Sequence, residues 1–310
     1  MSAKCFPIFL ISLHLYQFME LFFRIILLFS KLPMRVLYLF SDIIFFFLFY
    51  VIDYRKTVVV NNLKNSFPEK TPSEIKAIKK KFYINFSDYL VETLKSFTVS
   101  STELKVRVQH LNQDIFLDAK REGRNVIMLT GHVFNWEWFT ALATNVPQEN
   151  SHPVYRKMQS QFWEKKMKMI RNSHGNNALE AGEVIKHMLR NPNDGNSIYM
   201  FVADQTPHVS EVSYGLKFLN QKTPVFVGYD KLASRMDLVF VYCDVKKVKR
   251  GYYQVNYYRV EPENEKFEKN EIVKKFHQLL ENSIRKRPDN YLWSHRKWKY
   301  AHAIKKYEEQ

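Results

Sequence analysis

Residues 125–137 read Asn125-Val-Ile-Met-Leu-Thr130-Gly131-His132-Val-Phe-Asn-Trp-Glu137, and this stretch decides the fold. The apolar run that ends at Thr130 is short and uninterrupted, which is typical of a buried strand. Gly131 ends the run, and helical composition resumes from Phe134 to Leu142. The stretch therefore predicts a strand–turn–helix unit with a histidine at the carboxyl end of the strand, where ligands of open α/β sheets usually bind.

Helices and strands are predicted to alternate on both sides of this unit. The motif Thr71-Pro-Ser-Glu74 predicts a helix start, because Thr71 can cap the helix and Glu74 completes a capping box. Apolar residues then recur every three or four positions as far as Phe97, which indicates one face of a long helix. Further helices are predicted over about 110–122, 179–190 and 272–284, and strands over 197–203, 237–248 and 252–260. Since the last two strands form a hairpin, this order predicts an α/β fold with a mixed central sheet flanked by helices.

The composition narrows the class of protein. Of 310 residues, 46% are hydrophobic and 25% charged, which excludes a disordered chain, a collagen-like fibre and a pure coiled coil. The excess of 47 Lys and Arg over 31 Asp and Glu gives a net charge of +16, which predicts an acidic partner: nucleic acid, anionic lipid or an acidic protein. Zinc-ligand spacings, nucleic-acid motifs and a Gly-Lys phosphate loop are missing, so neither a metal site nor a nucleic-acid partner is expected.

The N-terminal residues 6–52 are strongly apolar and predict a membrane-anchoring helical segment. Residues 8–30 would form a helix of about 34 Å, enough to span a bilayer, but Glu20 and Arg24 interrupt it. The following stretch, 36–52, is short for a span and carries Asp42. Two alternatives stay open: one spanning helix followed by an interfacial or core-packed helix, or two helices in one leaflet. A cleaved signal peptide is disfavoured, because no small-residue cleavage site follows.

These observations predict a membrane anchor over residues 1–52 and a second domain over residues 53–310. Because Lys and Arg gather after position 52, the positive-inside rule puts the second domain in the cytoplasm.

The strand-end histidine and the carboxylate five residues later are the strongest chemical signal. A carboxylate beside an imidazole orients the ring and stabilises its charged form, so His132 with Glu137 could act as a general base on a hydroxyl group. The structural alternative is a capping histidine and a solvated glutamate. The position of His132 directly after a predicted strand and a glycine favours the functional interpretation.

The same residues resemble a known family. His132-x4-Glu137 after a glycine, in a chain with an apolar N-terminus, resembles the H-x4-D/E motif of membrane-associated glycerolipid and lipid A acyltransferases. The wider set of motifs looks like the late acyltransferases of lipid A biosynthesis over roughly residues 32–300, with the first twenty or so residues as an addition. These motifs are Leu32-Pro33-x-Arg35, Tyr54-Arg55, residues 61–68, Glu92-x-x-Lys95, Asp204-Gln205 and Trp293-x-His295-Arg296.

This resemblance implies an activity and a set of site residues. A fatty acyl chain would pass from acyl carrier protein to a hydroxyl of a lipid A precursor, with His132 as base, Glu137 as its support and no cofactor. The family-like positions of Arg156, Arg171, Asp204 and Gln205 imply substrate binding. Backbone N–H groups near Gly131, or Arg156, would meet the developing oxyanion.

The resemblance also implies a location at the cell inner membrane, with the catalytic domain on the cytoplasmic face. Basic clusters at 156–171 and 285–299 are predicted to face acyl carrier protein, lipid phosphates or anionic membrane, with a solvated charged surface as the alternative. Residues 217–223 stand where many relatives carry a Phe-Phe-Gly-like turn, which predicts an altered pocket wall. Two other functions stay open: transfer to another lipid, such as an aminolipid or a lysophospholipid, and a non-catalytic basic membrane-surface protein.

Overall fold

A seven-stranded mixed sheet forms the centre of the molecule, and the candidate site lies at the carboxyl ends of its central strands. The computed structural model describes residues 5–133, 135–233, 235–264 and 267–308, with the side chains of residues 16–307 within these ranges. The strands of this sheet are β1 (Val108–His110), β2 (Val126–Thr130), β3 (Asn150–Tyr155), β4 (Leu179–Glu180), β5 (Ser197–Val202), β8 (Val239–Lys249) and β9 (Tyr252–Val260). Their order is β1-β9-β8-β2-β5-β3-β4, and only the β8–β9 pair is antiparallel.

A second sheet has the order β10-β6-β7. Its strands are β6 (Tyr214–Phe218), β7 (Gln221–Pro224) and β10 (Lys306–Glu308). Helices flank both sheets, which confirms the predicted mixed α/β fold. The α-helices are α1 (Cys5–Ser30), α2 (Met34–Phe46), α3 (Lys56–Ser66), α4 (Pro72–Lys95), α5 (Ser101–Arg107), α6 (Asp114–Arg121), α7 (Gln161–Arg171), α8 (Val184–Arg190), α9 (Asp230–Ala233) and α10 (Glu271–Lys286). Short 3-10 helices include Trp136–Thr144, and a π-helical turn, Phe47–Val51, continues α2.

The local predictions succeed where periodicity and capping are strong. Helix α4 begins with the predicted capping box, in which the Glu74 amide donates to the Thr71 hydroxyl and the Thr71 amide donates to the Glu74 carboxylate. The predicted helix over 179–190 is wrong in its first half. Residues Leu179–Glu180 pair with the end of β3 instead, and α8 begins only at Val184.

The helix predicted from Phe134 to Leu142 is a 3-10 helix that begins at Trp136, and Phe134 lies outside the described residues.

The two N-terminal helices pack against the rest of the chain along one side only. Phe23 of α1 is buried between Phe97 and Phe162, with ring centroids 5.2 and 6.3 Å away. The Lys166 ammonium donates to both carboxylate oxygens of Glu20 at 2.9 Å. Helix α1 is therefore fixed to α7, and Glu20 interrupts the apolar segment because it has an ion-pair partner there.

The opposite side of these helices is apolar and exposed. In the part of the chain that the structure describes, one helix is long and apolar enough to cross a membrane, over Met34–Val51. The rings of Phe29 on α1 and Phe40 on α2 lie 5.4 Å apart and join the exposed sides of the two helices into one surface. We call this surface the apolar face. Its exposed residues are Phe18, Leu21, Phe22, Ile25, Leu28, Phe29, Leu39, Phe40, Ile43, Phe46, Phe47, Tyr50, Val51 and Ile52.

Candidate active site

The histidine lies at the carboxyl end of β2, as predicted, and tight packing holds it there. A Cβ atom on Gly131 would lie 2.6 Å from a methyl carbon of Leu280, so α10 packs directly against the turn that follows the strand. The carbonyl of His132 accepts a hydrogen bond from the Leu292 amide at 3.1 Å, and Val133 forms a bridge with Tyr291. The turn is therefore fixed on both sides, by α10 and by the segment after it.

Asp204 is the carboxylate that is hydrogen bonded to the imidazole ring. Its Oδ1 atom lies 2.5 Å from Nδ1 of His132 and 3.0 Å from the His132 amide nitrogen. Asp204 follows β5, which lies beside β2 in the sheet, so parallel pairing brings the two strand ends together. Because an ionised carboxylate can only accept hydrogen bonds, Nδ1 carries the proton in the neutral ring. The Nε2 atom of that ring is then the basic nitrogen.

The surroundings of Asp204 keep it ionised. Burial by itself raises the pKa of this carboxyl, but the contacts with His132, the charge of Lys297 and the Tyr291 hydroxyl outweigh burial and hold the pKa well below its ordinary value. The Tyr291 hydroxyl donates to Oδ2 at 2.7 Å, and the Lys297 ammonium donates to the Asp204 carbonyl oxygen. The carboxylate can therefore orient His132 and stabilise its positive charge without taking up a proton itself.

Glu137 pairs with an arginine. Its Oε1 atom lies 3.7 Å from a guanidinium nitrogen of Arg171 and accepts a hydrogen bond from the Trp136 indole at 3.2 Å. The Trp136 ring stands edge-on to His132, with centroids 5.0 Å apart. Both predicted catalytic residues therefore line one cavity, but the ring of His132 is held by Asp204. The contribution of Glu137 to catalysis stays a prediction.

A cavity of about 700 Å³ opens beside these groups, within the size range of ligand sites. Methionine and phenylalanine side chains, several of them from the central strands, form its apolar part, and charged side chains from the surrounding loops and helices form its polar part. The predicted site residues that line it are His132, Glu137, Arg156, Arg171 and Gln205.

Arg156 stands on an exposed loop. Its guanidinium donates to Glu211 at 3.4 Å and lies over the Phe226 ring. The cavity therefore combines an apolar interior with cations at its polar side, which suits a substrate that has both an acyl chain and anionic groups.

Three of the backbone N–H groups near Gly131 and the helix start already have acceptors. The His132 amide donates to Asp204, the Val133 amide to the Gly131 carbonyl at 2.8 Å, and the Glu137 amide to the Asn135 side chain at 3.0 Å. The cations that line the same cavity are Arg156, Lys157 and Arg171. The choice between a guanidinium and a backbone N–H group as the oxyanion donor stays a prediction.

Two surface predictions are corrected by the structure. Lys166 was grouped with its neighbours in an exposed basic cluster, but its side chain is 8% exposed, pairs with Glu20, and lies 4.2 Å from the centroid of the Phe23 ring. The segment 217–223 was predicted to form a pocket wall. It forms the β6–β7 turn instead, where Asn220 donates to the Ser66 carbonyl, and it lies outside the lining of the cavity at His132.

Sequence reasoning missed Tyr291, and it wrongly placed Lys297 in the basic surface cluster at 285–299, whereas Lys297 is buried and donates to the Asp204 carbonyl. The motif Trp293-x-His295-Arg296 stands between them, so the C-terminal segment was indicated but its contacts were not. In the described ranges, no group of three or more His, Cys, Asp and Glu side chains is arranged to hold a metal ion.

A histidine-bearing turn at the end of a central strand, held by a buried carboxylate and facing a partly apolar cavity, is typical of enzymes that act on a substrate with an apolar chain. Residues 8–300 match the family of bacterial lipid A biosynthesis acyltransferases, and the chain belongs to this family. The protein is therefore an acyltransferase of lipid A biosynthesis with a lipid acceptor. No curated protein matches the chain. Because the family match begins at residue 8, the prediction that the first twenty residues are an addition to the family pattern is wrong.

Proposed function

We propose that this protein transfers a fatty acyl chain from acyl carrier protein to a hydroxyl group of a lipid A precursor. The observation that carries the proposal is the His132–Asp204 pair at the edge of the cavity, because it supplies a base whose free nitrogen is defined. The domain from residue 53 to residue 310 would hold this chemistry, and residues 1–52 would anchor it.

In the proposed mechanism, Nε2 of His132 takes the proton of the acceptor hydroxyl while the hydroxyl oxygen attacks the thioester carbon. The tetrahedral intermediate collapses as the carbon–sulfur bond breaks. The proton then passes from Nε2 to the leaving thiolate, so the products are an ester and a free carrier thiol. Asp204 stabilises the imidazolium between these steps, because its carboxylate is already hydrogen bonded to the ring and to the Tyr291 hydroxyl.

Arg171 and Arg156 are proposed to meet negative charge. The Arg171 side chain is 19% exposed, and its guanidinium carbon lies 5.1 Å from the centroid of the Tyr155 ring. The guanidinium is therefore held in place and partly shielded from water. A guanidinium in that position suits the thioester oxyanion, and Glu137 would hold it in place. The more exposed Arg156, paired weakly with Glu211, suits the phosphate groups of the acceptor. Gln205, beside Asp204, would orient the acceptor.

The apolar face is proposed to insert into the cytoplasmic leaflet of the cell inner membrane. The inner side of α2 is hydrogen bonded to α4, since Tyr38 donates to Glu92 and Ser41 donates to Asp88, both at 2.8 Å. Asp42 pairs with Arg250 at 2.6 Å. A spanning α2 would have to break these contacts, whereas an interfacial helix keeps them.

The experiment that tests this function is mass spectrometry of total lipids from a strain that lacks the chain, with and without a plasmid that restores it. The expected result is a lipid A species lighter by one acyl chain in the deletion strain, restored by the wild-type chain but not by His132→Ala. Loss of an acyl chain from an aminolipid or a phospholipid, with lipid A unchanged, would contradict the proposed acceptor. An unchanged set of lipids would contradict the proposed activity.

A further inference from the structure

Glu92 is a buried carboxylate at the crossing of four elements. It lies in α4 and is fully shielded from solvent. Its Oε1 atom accepts from the Tyr38 hydroxyl of α2 at 2.8 Å, and its Oε2 atom accepts from the Tyr253 hydroxyl of β9 at 2.8 Å. The Asn135 side-chain amide, from the turn after His132, also donates to Oε2, at 3.3 Å. Three donors therefore converge on the two oxygens of one buried carboxyl group.

The contacts of Glu92 hold the start of the Trp136–Thr144 helix from two sides. Asn135 caps this helix, because its side-chain oxygen accepts the Glu137 amide at 3.0 Å while its side-chain nitrogen donates to Glu92. The Trp138 indole donates to the backbone carbonyl of Glu92 at 3.1 Å. Asn135, the capping residue between His132 and Glu137, is thus fixed by Glu92 of α4.

The same carboxylate also holds the helix that carries part of the apolar face. Tyr38 is followed directly by Leu39 and Phe40, which are exposed on that face. The Tyr38 ring is seated closely against the β8–β9 hairpin, since a Cβ atom on Gly251 would lie 2.1 Å from its hydroxyl oxygen. Any tilt of α2 that moves Tyr38 must therefore move Glu92 or break its hydrogen bond.

We propose that Glu92 is a positioning residue that couples the seating of α2 to the geometry of the turn carrying His132 and Glu137. The proposal rests on the proposed function, and it deepens it. Glu92 does not line the cavity at His132, so it acts through Asn135 and not on the substrate. A carboxylate at the crossing allows the membrane-facing helix and the catalytic turn to be ordered together.

Asp88 provides a matched control. It lies one turn earlier in α4, is equally buried, and also ties α2 to the hairpin, through Ser41 at 2.8 Å, Lys247 at 2.9 Å and Arg250 at 2.7 Å. The contacts described for it do not include the turn after His132. Replacing it by asparagine should therefore loosen the contacts of α2 with the hairpin without changing the catalytic turn.

The experiment compares Glu92→Gln, Asp88→Asn, Asn135→Ala and the double variant of Glu92 with Asn135, as full-length protein in detergent and in vesicles. Glu92→Gln is expected to lower kcat roughly 10- to 100-fold with KM unchanged, the scale of a small misplacement of reacting groups. Asp88→Asn is expected to keep kcat. The double variant is expected to be no slower than Asn135→Ala alone, because both changes act through one contact. Tyr253→Phe, which removes only a hydroxyl, is a milder variant should Glu92→Gln fail to fold.

A second readout does not depend on activity. Amide hydrogen exchange at Glu137 is expected to be faster in Glu92→Gln than in wild type, and unchanged in Asp88→Asn. Wild-type kcat and exchange in Glu92→Gln would overturn the proposal, and so would effects that multiply in the double variant or an equal loss in Asp88→Asn. If the wild-type chain transfers no acyl group, the proposed function fails, while the exchange at Glu137 still decides the role of Glu92.

Discussion

Replacing Asp204 by asparagine removes one charge from the site and leaves its shape nearly intact. In the wild-type chain, the carboxylate accepts hydrogen bonds from Nδ1 of the His132 ring at 2.5 Å, from the His132 amide at 3.0 Å and from the Tyr291 hydroxyl at 2.7 Å. An asparagine oxygen can keep the bonds to His132, and its amide nitrogen then faces the Tyr291 hydroxyl, which can turn to accept. The expected damage is thus mainly electrostatic, because the imidazolium that forms during the reaction loses its counter-charge.

The size of this loss follows from the separation of the two charges. With charge centres about 4 Å apart and an effective dielectric constant of about 20, the attraction is about 4 kcal/mol. The dipole of the asparagine amide replaces a small part of this attraction. About 3–4 kcal/mol of transition-state stabilisation is therefore lost, which lowers kcat about 10²- to 10³-fold. Since a general base is neutral until it takes up the substrate proton, the lost attraction affects the transition state, and KM should stay near its wild-type value.

The assay is steady-state acyl transfer from acyl carrier protein to a lipid A precursor in detergent, with thermal unfolding of each variant measured alongside. Tyr291→Phe serves as the control, because it removes one hydrogen bond to Asp204 and keeps the charge. It should lose about tenfold in kcat. A folded Asp204→Asn enzyme with wild-type kcat would refute the assignment of Asp204 as the orienting carboxylate.

Three further predictions concern the anchor, the carrier and the buried glutamate. Phe23→Ala should lower the free energy of unfolding by about 3–5 kcal/mol in a denaturant titration, whereas the exposed Phe22→Ala should leave it unchanged and weaken vesicle flotation instead. Charge reversal at Lys165 and Lys168, both exposed on α7, should raise KM for the carrier-linked donor at low salt but not for a short soluble thioester; an equal effect on both donors would argue against a docking surface. Burial raises the pKa of Glu92 from 4.5 to about 7. As pH rises, the unfolded chain therefore loses this proton before the folded chain does. The free energy of unfolding should then fall between those two pH values, by up to about 3 kcal/mol. Glu92→Gln should remove that slope, and an unchanged slope would contradict the burial of a titrating carboxyl.

The fold was predictable where the residues that determine an element lie within or next to that element. The apolar run of β2, the glycine after it and the capping box at Thr71 each act within a few residues, and each has its predicted structure. The predicted helix over 179–190 failed because pairing with β3 overrides the local preference of Leu179–Glu180. A strand of two residues has no periodicity from which it could be recognised.

The site was predictable only as far as the chain neighbours of His132. Spacing suggested Glu137 as the partner of the imidazole, because it lies five residues away. Asp204 is 72 residues away and reaches His132 because β5 lies beside β2, and strand order cannot be read from periodicity. In the same way, Glu20 looked like an interruption of an apolar helix until its partner Lys166 was known. Pairs formed through tertiary packing of distant segments are the part that local patterns do not contain.

The central claim is that His132 is the base for acyl transfer, and single-turnover kinetics of purified wild-type and His132→Ala enzyme test it most directly. Both enzymes are mixed in excess with acyl carrier protein that holds a labelled acyl chain and with a lipid A precursor, and transfer of the label to lipid is followed. The account predicts rapid transfer by wild type, and transfer near the background rate by a His132→Ala enzyme that unfolds at the wild-type temperature and still floats with vesicles. Transfer at the wild-type rate by that folded, membrane-bound variant would contradict the account.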